Sequence, residues 1–293
     1  MKNIFIKFLV TYILILLFPV ILGWVIYDLV LGEFETYMKN THITLLHQTM
    51  EIIDRYTKEV EGKVFQIANN SKLKNLIDSG RQESIGNMLL IREIVNELAS
   101  YVIYSSNFNS TFYIYLKEQD LILTPDASYH FADFIRGEVF FHIEGISAAA
   151  WHEKILNRYY PGTFLETKRI IIEDYDEVDM PRMVCYIQSL PPGYNKSVND
   201  VTGVILYFIR EDEFNRLLEN LNIPRGRWAY IADESGKMIA GISNTDGGLY
   251  PVNYSSTEQE GLKKLVLSGK EMFAIYTTSS ANHWKYTAVL PAR

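Results

Sequence analysis

The sequence predicts an α+β chain: an N-terminal transmembrane helix, a long stalk helix, then two tandem antiparallel-sheet modules. Three observations carry that prediction. An uncharged apolar run sits near the N-terminus, a helical seam follows it, and alternating aromatic-rich strands begin at Thr111. The chain has 293 residues, enough for two modest modules beside a membrane segment.

The apolar run is "FLVTYILILLFPVILGWVIY", Phe8 to Tyr27, 20 residues without a charge. At ~1.5 Å per residue it spans about 30 Å, one hydrocarbon core. Pro19 is tolerated in a membrane helix, and Trp24 and Tyr27 suit the interface. A cleaved signal peptide has a shorter apolar region and a small-residue exit, whereas this run exits through "GWVIYDLVLGEFE". The expectation is an uncleaved anchor. Lys2 and Lys7 precede it and Asp28, Glu33 and Glu35 follow it. The positive-inside bias keeps residues 1–7 in the cytoplasm and puts everything after the 8–31 helix outside, as a single-pass protein of the cell membrane.

Residues 33–68 read as one helix. Ile43, Leu46, Met50, Ile53, Thr57, Val60, Val64 and Ile67 step by alternating threes and fours, a sustained seam. The seam pairs with the same helix of a second chain, lies along this chain's own sheets, or both; a homodimer through the stalk is the expected assembly. "NNSKLKN" breaks the pattern, and a second helix runs from about Glu83 to Tyr104, with Met88, Ile91, Val95, Leu98 and Val102 as its face. Residues 33–110 are thus helical.

The first strand-rich module covers 111–221. "FYIYLKEQDLILTP" is strand, turn, strand. Short helical stretches near 129–136 and 149–158 precede the strands "KRIIIED", "RMVCYIQSL" and "TGVILYFIR", and "REDEFNRLLENL" closes the module as a helix. The second module covers 226–293. "RWAYIADESGKMIAGI" is a hairpin turning at Ser235-Gly236, "STEQEGLKKLVLSG" reads as an amphipathic helix with a Ser/Thr cap and a closing Gly269, and "KEMFAIYTTSS" and "HWKYTAVLP" are closing strands.

Charge and motifs bound the function. The net charge is −7, with the first 31 residues at +1 and the rest at −8. That field repels phosphate backbones, so the chain itself binds no nucleic acid. The single cysteine, Cys185, excludes an internal disulfide and reads as a buried small hydrophobe. The six histidines, His42, His47, His130, His142, His152 and His283, form no H-E-x-x-H and no metal-spaced set. G-x-S-x-G, Walker A and Rossmann patterns are missing, so no enzyme activity, cofactor or metal is expected. "EDYDEVDM", residues 173–180, has five carboxylates but lacks the glycine and terminal glutamate of a calcium loop, and reads as a solvated turn.

The tyrosines point to a binding surface. If Phe112, Ile114 and Leu116 face the stalk, Tyr113 and Tyr115 face the other side of the sheet. Alternation groups Tyr186 with Gln188 and Tyr207 with Ile205. Should those tyrosines share that side with Trp151, Tyr159 and Arg169, they line a concave polar-aromatic pocket for a small extracellular ligand. The competing reading is a sheet capped by tyrosines that bind nothing.

The ordered layout resembles the double Cache sensor domain of bacterial transmembrane receptors. "YIADESGKMIAG" looks like the membrane-proximal Cache hairpin, with its D-x-x-G turn. "YIQSLPPG" followed by "GVILYFIREDEF" is similar to the ending of the distal module in sensors of Firmicute-type receptors. The resemblance covers roughly residues 1–291. It implies PAS-like modules, a pocket in the distal one, and the sensor part of an AraC-type transcriptional regulator, or alternatively of a histidine kinase or chemoreceptor. It further implies a second membrane helix and an output domain after the "WKY…LP" strand, so the end at Arg293 reads as a truncation. "AAAWHEKILNRYYPG" does not match the family's amino-acid-binding signature, so no amino acid ligand is named. Two readings of other classes stand beside this one. They are a membrane-anchored extracellular hydrolase, and an interaction module whose pocket is filled by its own side chains.

Overall fold

A computed structural model describes residues 2–291 apart from 82–83, 104–109, 136–140, 144, 173–181, 194–195, 222, 224–225, 246–248, 250 and 253–257. The acidic run 173–180 therefore lies outside the described residues, as do the side chains of Arg169 and His142.

The fold is α+β, with two antiparallel sheets behind one N-terminal apolar helix. Helix α1 runs unbroken from Lys2 to Ala68, so the expected membrane helix and stalk are one 67-residue element. Its stretch Tyr12–Val30 is long and apolar enough to cross a membrane, and none of it is buried by the protein. Asn70 ends α1 and starts α2 (Ser71–Asp78): its side chain accepts hydrogen bonds from the Lys72 and Leu73 amides. The asparagines that read as a break are thus the cap of an unpredicted helix. Helix α3 (Ile85–Leu98) is shorter than expected. It buries Ile94 and Leu98, while Met88, placed on the predicted inner face, is exposed.

The first sheet has seven strands in the order β3-β2-β1-β7-β6-β5-β4. They are β1 (Ser110–Leu116), β2 (Leu121–Leu123), β3 (Ser128–His130), β4 (Phe141–Ile143), β5 (Thr163–Ile172), β6 (Arg182–Leu190) and β7 (Gly203–Arg210). Helices α4 (Phe131–Ile135) and α5 (Ala148–Leu156) lie between strands, and α6 (Glu211–Glu219) follows β7. The helical reading of 129–136 is half corrected, because His130 and Tyr129 pair with β2 before α4 begins.

The second sheet has five strands in the order β10-β11-β12-β8-β9. They are β8 (Trp228–Ala232), β9 (Met238–Ser243), β10 (Glu260–Leu267), β11 (Lys270–Thr278) and β12 (Lys285–Pro291). The β8–β9 turn is as read: Asp233 Oδ1 accepts from the Lys237 amide at 2.9 Å, and Gly236 has φ +82°. "EGLKKLVL", expected as a helix, is instead strand β10. Ser268 and Gly269 both have positive φ (+49° and +76°), the geometry of a two-residue hairpin that returns β10 along β11. The glycine that reads as a helix stop is a hairpin turn. As an edge strand, β10 keeps the lysines and glutamate that also suit a helix surface.

The seam of α1 packs on both sheets. Leu46, Ile53, Val60, Val64 and Ile67 are fully buried in one apolar cluster that includes Phe112, Ile205 and Tyr207 of the first sheet and Phe273, Ile275 and Tyr286 of the second. Burying each such aliphatic side chain stabilises by roughly 1.5–3 kcal/mol. Polar contacts hold the second sheet to the same helix. His47 meets Glu260 at 2.6 Å, and Asp54 accepts from Ser279 Oγ at 2.7 Å and Asn282 Nδ2 at 3.2 Å. Burial raises the Asp54 carboxyl above its ordinary range, against the pull of those donors and Lys58. Of the two seam partners the sequence allowed, the structure shows the chain's own sheets. The opposite side of α1 exposes Tyr37, Ile52 and Phe65.

The modules also grip each other directly. Trp284 is 3% exposed and sits between Phe164 of β5 and Phe214 of α6, with ring centroids at 5.0 and 6.2 Å. Thr167 Oγ1 donates to the Ile239 carbonyl, and the Gly241 amide donates to Asn215 Oδ1 at 2.8 Å.

Candidate functional site

The first sheet has two faces, and the strand register decides which tyrosines meet. Tyr113 pairs with Leu206, Cys185 with Phe208, and Tyr186 with Tyr207. Tyr113, Tyr115, Cys185, Ile187, Leu206 and Phe208 therefore share the face away from α1. Tyr186 and Tyr207 lie on the α1 face. Their placement corrects the expected grouping. The alternation within each strand is as read, but the pairing turns those two tyrosines inward.

On the α1 face Tyr207 stacks on Phe112 with centroids at 5.3 Å, and its hydroxyl lies 2.8 Å from Ser110 Oγ. Tyr186 packs edge-on to Phe164. Its hydroxyl fills the space a side chain on Gly162 would need, and Gly162 has φ +126°, so glycine is required there twice over. Burial, and after it the Glu61 charge, raise the Tyr186 phenol above its ordinary value.

On the outer face, Tyr113, Tyr115 and Trp151 share one cluster, but around a side chain that sequence reasoning treated as ordinary. His152 is 1% exposed and its Nε2 lies 3.0 Å from the Tyr113 hydroxyl. The rings of Tyr115, Phe131 and Trp151 surround it, with centroids at 6.1, 5.0 and 5.2 Å. The aromatic box is therefore filled from within. Burial pushes the Tyr113 phenol well above its usual value, so it stays neutral. The signal in the sequence is position: His152 sits inside α5, one residue after a predicted pocket residue, with Ser147 capping the helix through the Ala150 amide. Tyr159 lies to the side. Its hydroxyl donates to the Pro191 and Gly193 carbonyls, at 3.2 and 2.9 Å, and pins that loop. The backbone of Arg169 pairs with Arg182, and its side chain is not among those described.

Beside the filled box lies an open cavity of about 280 Å³. Leu165, Met183, Cys185 and Phe208 form its floor, and Trp151 and Ile155 of α5 its wall. Arg158 lies over the Tyr160 ring at 5.4 Å, and Lys154, Lys168 and Lys237 complete the rim. Burial raises the Cys185 thiol well above its ordinary range, so it serves as an apolar floor rather than a nucleophile. Lys237 comes from the second module, in the turn between β8 and β9. Larger clefts of about 610 and 560 Å³ lie over the β8–β9 turn, but Asp233, Glu234 and Ser235 make their walls polar. An apolar floor with a few convergent polar groups is the commoner build of a small-molecule site. Among the described residues no group of three or more His, Cys, Asp or Glu is placed to hold a metal.

No family model matches the chain, and no curated protein matches it. It is similar to several solved structures. One is the ligand-binding domain of the Pseudomonas aeruginosa PAO1 amino acid chemoreceptor PctC, in complex with GABA. The identity is 13%, the TM-score 0.46, and 87% of this chain and 99% of that one are covered. Another is "Methyl-accepting Chemotaxis protein X", at 12% identity and TM-score 0.48, covering 88% and 98%. A third is the extracellular domain of the histidine-kinase candidate vpHK1S-Z8, at 12% identity and TM-score 0.49, covering 87% and 96%.

Proposed function

We propose that this chain is the membrane-anchored, extracellular sensing region of a transmembrane signalling receptor, a double Cache ectodomain that binds a small ligand in its distal module. The observation that carries the proposal is helix α1. It is at once the apolar span Tyr12–Val30 and the rod on which both sheets pack, so a change in either module bears on the membrane segment. The cavity beside Trp151 is the candidate ligand site, on the sheet face opposite that rod. Signalling then requires two packings of the modules on α1 with different ligand affinity. The AraC-type, histidine-kinase and chemoreceptor readings share this sensor and differ in output, so the proposal covers the sensor alone. A hydrolase finds less support: Cys185 is buried with its thiol raised, and His152 is held in an aromatic box.

The test is a thermal-shift screen of the detergent-solubilised chain against small metabolites, repeated on Leu165→Trp, which fills the cavity. The expected result is a compound that stabilises the native chain and not the variant. Stabilisation that persists in Leu165→Trp moves the site elsewhere. Labelling of Ser280→Cys by a membrane-impermeant maleimide on intact cells checks the orientation, since Cys185 is buried and gives little background. Protection of that cysteine until lysis overturns the extracellular assignment.

A further inference from the structure

We infer that the cavity takes a small organic anion, a carboxylate on a single-ring or short alkyl body, and that this ligand touches both modules at once. The inference rests on the sensor reading above and names its ligand class. The whole chain has 28 lysines and arginines against 35 aspartates and glutamates, so a surface chosen at random is acidic. The lining runs the other way: Lys154, Arg158, Lys168 and Lys237, and no carboxylate among the described lining residues. Lys168 and Lys237 also engage other groups of the chain, so the larger share of the grip falls to Lys154 and Arg158, with Lys237 adding to it from the second sheet. Lys154 lies in the last turn of α5 and Arg158 two residues past its end, and both line the cavity beside Trp151 and Ile155. Arg158 is held over the Tyr160 ring, which orients its fork at low entropy cost and suits a planar carboxylate. Beneath the rim the floor is apolar, so the ligand carries an apolar body under its charge. At about 280 Å³ the cavity stands at the small end of ligand sites and matches a compact body.

Lys237 gives the inference its second half. It follows Gly236 in the β8–β9 turn, two residues before Ile239, whose carbonyl accepts from Thr167 of β5. A ligand seated on the distal floor therefore meets a group of the proximal module without an intermediary. Binding then draws the β8–β9 turn toward α5 and links occupancy to the module that holds Asp54 of α1.

The experiment uses the full chain in detergent with four probes: phenylacetate, hexanoate, and their neutral amides. The acids are expected to bind by calorimetry and the amides to bind at least tenfold more weakly. Exposed charge pairs are worth roughly two- to fivefold each. Lys154→Met with Arg158→Met is therefore expected to weaken the acids by about four- to twenty-fivefold, and Lys237→Met alone by about two- to fivefold. All three side chains are solvent-exposed, and an unliganded melting temperature unchanged from the native chain confirms that the variants fold. Amides that bind as well as the acids overturn the anion assignment and leave the sensor reading standing. Neither acid binding, while another compound gives a shift that Leu165→Trp abolishes, has the same meaning. An unchanged affinity in Lys237→Met overturns the two-module contact. No compound of any charge sensitive to Leu165→Trp removes both the inference and the sensor reading beneath it.

Discussion

Truncating Ile53 tests whether the α1 seam is the chain's own core. Ile53 is 0% exposed and lies in the cluster that joins both sheets. Removing its three outer carbons leaves a void between α1 and the sheets, and an Ile→Ala change of this kind costs roughly 2–5 kcal/mol. For a folded region of this size each kcal/mol moves the melting temperature by about 2–4 °C, so Ile53→Ala is expected to melt about 4–20 °C lower. The control is Phe65→Ala, twelve positions along the same helix. Phe65 is 60% exposed, and its loss is expected to change stability by no more than about 0.5 kcal/mol. Both variants are to be melted in the same detergent at several protein concentrations. The reverse order, with Phe65→Ala costly and Ile53→Ala silent, refutes the packing. So does a cost of Ile53→Ala that vanishes on dilution, because it places the seam between chains.

Two further outcomes follow from groups between the modules. Trp284→Ala removes the ring that Phe164 and Phe214 share, at a cost of about 3–5 kcal/mol. Amide exchange is expected to rise in β5 as well as β12, and exchange confined to β12 shows that the aromatic bridge does not couple the modules. Asp54 sets a pH dependence. Its folded pKa is raised by burial, so the stability it contributes is present below its unfolded pKa of about 3.9 and is lost as pH rises through the folded value. The native melting temperature is expected to fall relative to that of Asp54→Asn as pH rises from about 4 to 7. A difference that is flat, or of opposite slope, contradicts the burial of this carboxyl.

The helical seam was legible because a 3/4 spacing repeats over residues 43–67. Its partner was not, because the spacing is the same whether the apolar stripe meets a second helix or a sheet. The pocket face was half legible. Alternation separates Tyr113 from Phe112 within β1, but the side on which Tyr186 and Tyr207 fall depends on pairing with β1, information that sits between strands. His152 was passed over because a buried histidine reads no differently from a surface one until its neighbours close around it. Strand β10 was misread because Glu, Leu and Lys favour a helix, and pairing with β11 overrides that preference. Asn70 deceived in the opposite way. A residue that favours turns here accepts hydrogen bonds from the first amides of a helix.

The shared core on α1 has a consequence for how such a chain can be inherited. Beads on a string recombine freely, because each carries its own interior. Here the two sheets close over one rod, and Trp284 of the second fills a gap between β5 and α6 of the first. A crossover between these modules would strand half an interior on each side. The unit that gene fusion can move intact is therefore the rod with both sheets on it.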